Sequence, residues 1–240
     1  MSVATHVYPS AKAAAEACAT QAASLLEDAI RKSGRATFAL SGGSTPAHMF
    51  AALATMPLDW TRIHWFWVDE RMVPPEDKES NFHLTKQHLF DRISPPPVNI
   101  HRIFGELPPD QALAGYEADL RNFFELGPAD LPSFDVIHRG IGPETHTASL
   151  FPGSPLIADR TGLAAIVTTP KPPNPRVTLL RGVLERAGHT LMLVAGEDKV
   201  DAVRSVFHEP FDPSKYPAQI ASVGAAAADW YLDELAARGL

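Results

Sequence analysis

Short apolar runs alternate with longer amphipathic or alanine-rich segments along most of the chain. Short runs rich in aromatic and β-branched residues, bounded by glycine, proline or polar residues, are typical of strands buried in a sheet. We predict strands at 35–40, 62–68, 100–104, 134–137, 163–168 and 190–195, and a further short strand that begins at 177 and leads into a helix. Helices are predicted at 10–33, from the turn at 41–46 to about 56, at 80–90, 109–126 and 222–238, and in a segment that carries Lys199.

Strands and helices that alternate in this way predict an α/β fold, with a doubly wound, mostly parallel sheet and helices on both of its faces. The first helix has the clearest limits, because Ser10 is a good N-cap and Gly34 a good terminator. Segment 171–175 is rich in proline and is expected to be a loop. Since no repeat, low-complexity linker or clear boundary interrupts the pattern, residues 1–240 are expected to form a single α/β domain.

Composition and charge narrow the class of function. The formal net charge of −7, without a lysine- or arginine-rich run, argues against a general nucleic-acid binder. Cys18 is the only cysteine, which excludes an intrachain disulfide and a multi-cysteine metal site. Residues 1–10 lack a charged segment followed by an apolar one, and no apolar run approaches membrane-spanning length. We therefore expect a cytoplasmic protein without a membrane partner. The sequence does not indicate its oligomeric state.

The turn that follows the first predicted strand has the composition of an anion site. Its two glycines let the backbone approach an anion, its hydroxyls add donors, and its proline suits the first position of a helix. Because a helix N-terminus presents free amides, we predict a phosphate site here. A structural tight turn explains these residues about as well, and they match neither the Walker A nor the dinucleotide-binding pattern. The candidate residues are Ser41, Gly42, Gly43, Ser44 and Thr45, with Pro46 after them.

Charged and titratable residues follow two other predicted strands. Asp69, Glu70 and Arg71 come directly after strand 62–68, and His146 follows the glycine-containing turn after strand 134–137. In open α/β sheets such positions meet at the carboxyl edge, where ligands bind. A histidine there titrates near neutrality and suits general acid–base catalysis. The alternatives are a solvated ion pair within the charged segment and a structural histidine that caps a helix.

Several motifs occur in the order in which a known family has them. The most specific is His-Thr-Ala-Ser-Leu-Phe-Pro-Gly at 146–153. The other motifs are Ser-Gly-Gly-Ser-Thr-Pro at 41–46, Trp-Val-Asp-Glu-Arg at 67–71, Ser80-Asn81, Phe134-Asp135, Arg-Val-Thr-Leu at 176–179, and Gly196 with Lys199. With these motifs the chain resembles the 6-phosphogluconolactonase family over nearly its whole length. The resemblance implies a fold related to the sugar-phosphate isomerases and deaminases.

The resemblance also implies a reaction, the hydrolysis of 6-phospho-D-glucono-1,5-lactone to 6-phosphogluconate. His146 is implied as the base that activates water. A δ-lactone is an activated ester, so we expect no metal, no cofactor and no covalent nucleophile. Backbone amides near Gly43 or Gly142 are candidates to stabilise the developing oxyanion.

The implied substrate partner is a small sugar-phosphate lactone. Its phosphate is expected to be held by the glycine-rich loop at 41–46, Arg176 and Lys199. Further candidate substrate contacts are Asp69, Arg71 and Gly142. Packing decides which of the four cations contacts phosphate and which contacts sugar hydroxyls; these are Arg71, Lys171, Arg176 and Lys199.

Two residues next to the implied base depart from the family pattern. The family has Asp-Gly before the histidine, whereas this chain has Glu144-Thr145. Glu144 can still accept a hydrogen bond from the imidazole and fix its tautomer, so we assign it to the catalytic group with His146. Thr145 is not expected to adopt the positive φ that glycine adopts readily. His138 and Arg139 also stand where the family usually has apolar residues.

The nearest rival function is that of a glucosamine-6-phosphate deaminase or isomerase. In that family the segment after the histidine carries Asn-Glu-Pro, and its glutamate assists ring opening. The matching residues here are Leu150-Phe151-Pro152. Because an apolar Phe151 cannot transfer a proton, this position favours the lactonase. A non-catalytic protein that binds sugar phosphates is a second alternative.

Overall fold

The computed structural model describes residues 2–221 and 227–240. Within this part of the chain, six parallel strands form the larger of two sheets. The strands of the larger sheet are β1 Ser2–Tyr8, β2 Ala36–Leu40, β3 Ile63–Trp67, β5 Val136–Arg139, β8 His189–Val194 and β9 Ala227–Asp233. They lie in the order β1-β9-β8-β5-β2-β3, and each neighbouring pair is parallel.

The smaller sheet has three antiparallel strands in the order β4-β7-β6. Their bounds are β4 Asp69–Arg71, β6 Ala164–Val167 and β7 Arg176–Leu179. Val68 joins the two sheets, because its N–H donates to the carbonyl of Leu40 at 2.9 Å and its own carbonyl accepts from the N–H of Leu179 at 2.7 Å. The charged segment after β3 therefore runs straight into the smaller sheet.

Helices cover both faces of the larger sheet. Their bounds are α1 Ala11–Ser33, α2 Ser44–Leu53, α3 Asn81–Thr85, α4 Asp91–Ile93, α5 Pro109–Phe123, α6 Arg181–Leu184 and α7 Val200–His208, and a π-helical turn at Lys86–Phe90 joins α3 to α4. As predicted, Ser10 caps α1 through its Oγ, and Gly34 ends it in the left-handed conformation. Within β9, Tyr231 packs with the core that contains α1, whereas Trp230 packs with α7 on the opposite face. This alternation is what a parallel strand buried on both faces requires.

The prediction of a parallel α/β fold with helices on both faces is confirmed. The antiparallel sheet was not predicted: the strand expected at 163–168 lies there as β6, not in the parallel sheet. The strand predicted at 100–104 is wrong, because Ile100 forms only an isolated bridge with Trp65. That residues 1–240 form one domain stays a prediction.

The helix predicted at 222–238 is also wrong. Residues 222–226 lie outside the described part of the chain, and the rest forms β9 and a short 3-10 turn, Ala236–Gly239. Alanine-rich sequence favours a helix, but β9 lies between β1 and β8, where Trp230 and Leu232 are fully buried. Burial within a sheet outweighed local helix propensity. β1 was not predicted either.

The residue that follows the C-cap of helix α5 has a backbone conformation that suits glycine better than its own side chain. Exposed Glu125 follows the C-cap Phe124 with a φ of 53°. A left-handed residue other than glycine costs about 1–2 kcal/mol, and the extra chain entropy of glycine offsets about half of this. We expect Glu125→Gly to raise the free energy of unfolding by about 0.5–1 kcal/mol, measured by urea denaturation. Ala118→Gly, within the same helix, is the matched control and should lower it by about 1 kcal/mol; a loss in both variants would contradict the expectation.

Among the helices of the described residues, none combines the length and the apolar character needed to cross a membrane.

Candidate active site

Four neighbouring strands of the larger sheet bring their carboxyl ends to one cavity. These are β8, β5, β2 and β3, which are adjacent in the sheet order. The loops that leave them line an open cavity of about 200 Å³. Nine of the predicted site residues line it: Ser41, Gly42, Gly43, Asp69, Arg71, Gly142, His146, Arg176 and Lys199. The other three predicted site residues do not line this cavity. Ser44 lines an adjoining cavity, Glu144 lies 3.2 Å from His146, and Thr45 lies within α2.

The glycine-rich loop packs against a residue that has no predicted role. A Cβ atom on Gly42 would lie 1.8 Å from Oδ1 of Asn81, so only glycine fits there. Asn81 lines the cavity and donates from Nδ2 to the carbonyl of Asp69 at 2.8 Å. Gly43, with a φ of 117°, is the N-cap of α2, and its conformation also favours glycine. The Ser80-Asn81 dipeptide was the sequence signal for this contact.

Buried Glu70 fixes the segment around Asn81. Its carboxylate accepts hydrogen bonds from the backbone N–H groups of Arg71, Asn81 and Phe82, each at 2.8 Å, and from the hydroxyl of Ser80 at 2.9 Å. Burial raises the pKa of this carboxyl, although the hydrogen bonds oppose the rise. Glu70 is not among the residues that line the cavity. Its carboxylate therefore stabilises the segment that carries Asn81 and does not face the cavity itself.

Asp69 and Arg176 meet through a buried serine. Ser149 Oγ donates to Asp69 Oδ2 at 2.6 Å, and Arg176 Nη1 donates to Ser149 Oγ at 3.3 Å. Two further donors of Arg176 bind the carbonyls of Lys171 and Pro173, at 2.8 and 3.2 Å. Arg176 thus holds the proline-rich loop in place while it also lines the cavity.

The other cations have different partners. Arg71 does not pair with Asp69; its guanidinium donates to the carbonyl of Glu79 and lies 3.8 Å from the Glu79 carboxylate. Lys199 Nζ pairs with Asp198 at 2.8 Å, at the end of a 3-10 turn that precedes α7. Both side chains are still among those that line the cavity.

His146 packs against an aromatic ring and against a glycine. Its imidazole stacks on Phe151 with the ring centroids 4.1 Å apart and the planes 12° from parallel. A Cβ atom on Gly142 would lie 2.0 Å from Nδ1 of His146, so the glycine also packs closely against the imidazole. Burial is the main cause that lowers the pKa of His146 below 6.5, and the charge of Glu144 opposes it. A neutral imidazole at the mouth of a cavity can accept a proton.

Glu144 lies between His146 and a lysine. Its Oε2 is 3.2 Å from His146 Nδ1, although the angles are not those of a hydrogen bond. Its Oε1 is 2.7 Å from Lys171 Nζ. Partial burial acts to raise the pKa of Glu144, but Lys171 and His146 outweigh it and lower the pKa to about 2. Glu144 is therefore a carboxylate at any pH near neutrality.

The expectation about Thr145 is wrong. Its φ is 70°, so it keeps the left-handed conformation that a glycine would adopt. Three hydrogen bonds fix it there. Its N–H donates to the carbonyl of Gly142 at 2.9 Å, its carbonyl accepts from the N–H of Ala218 at 2.9 Å, and its hydroxyl donates to the carbonyl of Lys215 at 3.3 Å. Tertiary contacts thus impose a conformation that a β-branched residue disfavours.

One of the two backbone amides predicted to stabilise an oxyanion already donates a hydrogen bond within the protein. The N–H of Gly142 donates to the carbonyl of His146 at 3.0 Å, which closes the turn between them. This corrects the proposal of Gly142 as an oxyanion donor and gives this residue a different role, close packing against the imidazole. Gly43, at the N-terminus of α2, keeps the predicted position for an amide donor.

His138 and Arg139 are both fully buried within β5. Burial lowers the pKa of His138 to about 3 and that of Arg139 to about 10. Nothing in the structure explains why polar residues stand at these two positions.

At the carboxyl edge of the parallel sheet lie a glycine-rich helix N-terminus, four cationic side chains and a histidine. This arrangement defines an enzyme-like anion-binding protein of the α/β class. The family model described as glucosamine-6-phosphate isomerases/6-phosphogluconolactonase matches residues 9–230. The chain therefore belongs to this family.

Individual relatives agree with this placement. The 6-phosphogluconolactonase of Nostoc sp. is 37% identical over 195 residues, which are 81% of this chain and 80% of that protein. The crystal structure of a protein named devB is 32% identical, with a TM-score of 0.86 and 98% of both chains covered. A monomeric glucosamine-6-phosphate deaminase has a TM-score of 0.82 at 19% identity, a likeness of fold alone that covers 99% of this chain and 100% of that one.

Proposed function

We propose that the protein hydrolyses 6-phospho-D-glucono-1,5-lactone to 6-phosphogluconate. The observation that carries the proposal is the neutral His146, which faces a cavity lined by cations and by the glycine-rich loop. Relatives that bear the name 6-phosphogluconolactonase, among them the Nostoc protein, support the substrate. The expected cytoplasmic location stays a prediction.

In the proposed reaction, His146 takes a proton from water as the water oxygen attacks the lactone carbonyl. The carbonyl oxygen becomes an oxyanion, for which the amides at the N-terminus of α2 are the available donors. The bond from the carbonyl carbon to the ring oxygen then breaks, and the imidazolium returns its proton to that oxygen. Glu144, held as a carboxylate, stabilises the imidazolium that forms in between.

The cations of the cavity suit the substrate phosphate. Lys199, Lys171 and Arg71 line it together with Gly42 and Gly43. Arg176 also lines it, but two of its N–H groups bind the proline-rich loop and a third binds Ser149 Oγ. We assign phosphate binding to the glycine-rich loop and the lysines, with Arg176 as the residue that positions Lys171.

The deaminase alternative requires a proton-transferring group beside the histidine. The side chain at that position is Phe151, which is 4% exposed and stacks on His146. A buried phenyl ring neither gives nor takes a proton, so this contact favours the lactonase.

Two assays on one preparation distinguish the candidates. We expect lactone hydrolysis above the uncatalysed rate and no ammonia release from glucosamine 6-phosphate. Ammonia release would support the deaminase instead. Binding of 6-phosphogluconate without any acceleration of lactone hydrolysis would support the non-catalytic protein.

A further inference from the structure

The carboxylate of Glu144 is shared between two partners. One oxygen lies 2.7 Å from Lys171 Nζ, and the other lies 3.2 Å from His146 Nδ1. The contact with the lysine is the shorter of the two by 0.5 Å. In the free protein the carboxylate of Glu144 therefore interacts more closely with Lys171 than with His146.

The side chain of Lys171 can leave this contact without disturbing the loop that carries it. Its backbone carbonyl is anchored by Arg176 Nη2 at 2.8 Å and by Thr169 Oγ1 at 2.7 Å. Asn174 closes the same loop through two hydrogen bonds to the backbone of Thr169, at 2.8 and 2.9 Å. The side chain itself is 49% exposed and lines the cavity. A fixed backbone with a flexible, half-exposed side chain is the arrangement that lets a lysine change partners.

We infer that Lys171 exchanges Glu144 for the phosphate of the substrate, so that the Glu144 carboxylate serves His146 alone once the substrate is bound. This inference rests on the function proposed above. A phosphate monoester carries close to two negative charges at neutral pH and competes strongly for an ammonium group. Substrate binding would then complete the pairing of His146 with Glu144.

The exchange has a defined effect on proton affinity. The charged groups that act on His146 are Glu144 on its own loop, Lys171 from the proline-rich loop and Asp69 from β4. Lys171 lowers the pKa of His146, whereas the two carboxylates raise it. The remaining charged side chains of the cavity are Arg71, Arg176 and Lys199. When phosphate neutralises Lys171, the pKa of His146 rises and the imidazole becomes a stronger base.

The direct test is the titration of His146 by NMR, with and without saturating 6-phosphogluconate. In the wild type we expect 6-phosphogluconate to raise the midpoint by about one pH unit. In Lys171→Met the free protein should already titrate about half a pH unit higher, and 6-phosphogluconate should add less than half of the wild-type shift. Equal shifts in the two proteins would overturn the inference, because the phosphate would then act on His146 without Lys171.

Kinetics supply a second readout. The acid limb of kcat/KM reports the free protein and that of kcat reports the bound state. A base is lost as pH falls through its pKa, so the limb of kcat should lie at higher pH than that of kcat/KM in the wild type. The two limbs should converge in Lys171→Met, and Lys171→Arg should restore their separation. Limbs that stay apart in Lys171→Met would also overturn the inference.

Lys199→Met is the matched control. Lys199 lines the same cavity but pairs with Asp198, so its loss should raise KM and leave the separation of the limbs unchanged. The same NMR titration with inorganic phosphate separates this inference from the proposed function. A Lys171-dependent shift in a protein that fails to hydrolyse the lactone would support the exchange and refute only the lactonase.

Discussion

Replacing His146 with alanine should lower kcat for lactone hydrolysis by about 10²–10⁴-fold, the usual contribution of a positioned acid–base group. The imidazole is neutral because it is buried, and it lies beside a carboxylate that stabilises its protonated form. The rate should be measured against the uncatalysed hydrolysis in the same buffer.

The control for this variant is His48→Ala. His48 is exposed on α2 and does not line the active-site cavity, so its loss should leave kcat unchanged. Thermal unfolding of both variants checks that the fold survives. A folded His146→Ala protein with a near-normal rate would exclude His146 as the base.

Gly142→Ala should lower kcat by about 10²-fold. Its backbone is compatible with alanine, but the new Cβ would lie 2.0 Å from Nδ1 of His146 and 2.6 Å from Oε2 of Glu144. The imidazole is already stacked on Phe151, so to avoid the new Cβ it must rotate or shift out of its position. Displacement of a catalytic group by about 1 Å costs about 10²-fold in rate. The shift itself should be visible in the NMR signals of His146.

Gly115→Ala is the matched control for the added methyl group. Gly115 lies in α5, and a Cβ there meets nothing within 4 Å. This variant should keep full activity and gain about 0.5–1 kcal/mol in the free energy of unfolding. If Gly142→Ala were equally active, the close packing of glycine against His146 would have no catalytic role.

The sequence predicts the position of the site better than it predicts the whole fold. The glycine-rich turn, the charged segment at 69–71 and His146 each follow a short apolar run, and parallel strands deliver such segments to one edge. Residue type and order are enough for that inference. The strands at the two ends of the chain were not predicted. β1 is stabilised by pairing with β9, and β9 also pairs with β8. Pairing between strands so distant in sequence leaves little local signal.

The contacts that tune the site also escape sequence reasoning. The link from Lys171 to Glu144 joins two loops whose proximity depends on the smaller antiparallel sheet. The positive φ of Thr145 depends on hydrogen bonds to residues 215 and 218, far along the chain. A single sequence shows that Glu144-Thr145 is unusual, but only the folded chain shows that Glu144 bridges a base and a lysine.

The dependence of the lactone hydrolysis rate on protein concentration tests the proposed reaction most directly. The lactone opens unaided, so each progress curve must be compared with buffer alone. The initial rate should rise in proportion to the wild-type protein and stay close to the buffer rate with His146→Ala. A rate that does not depend on wild-type protein concentration would contradict the proposed function.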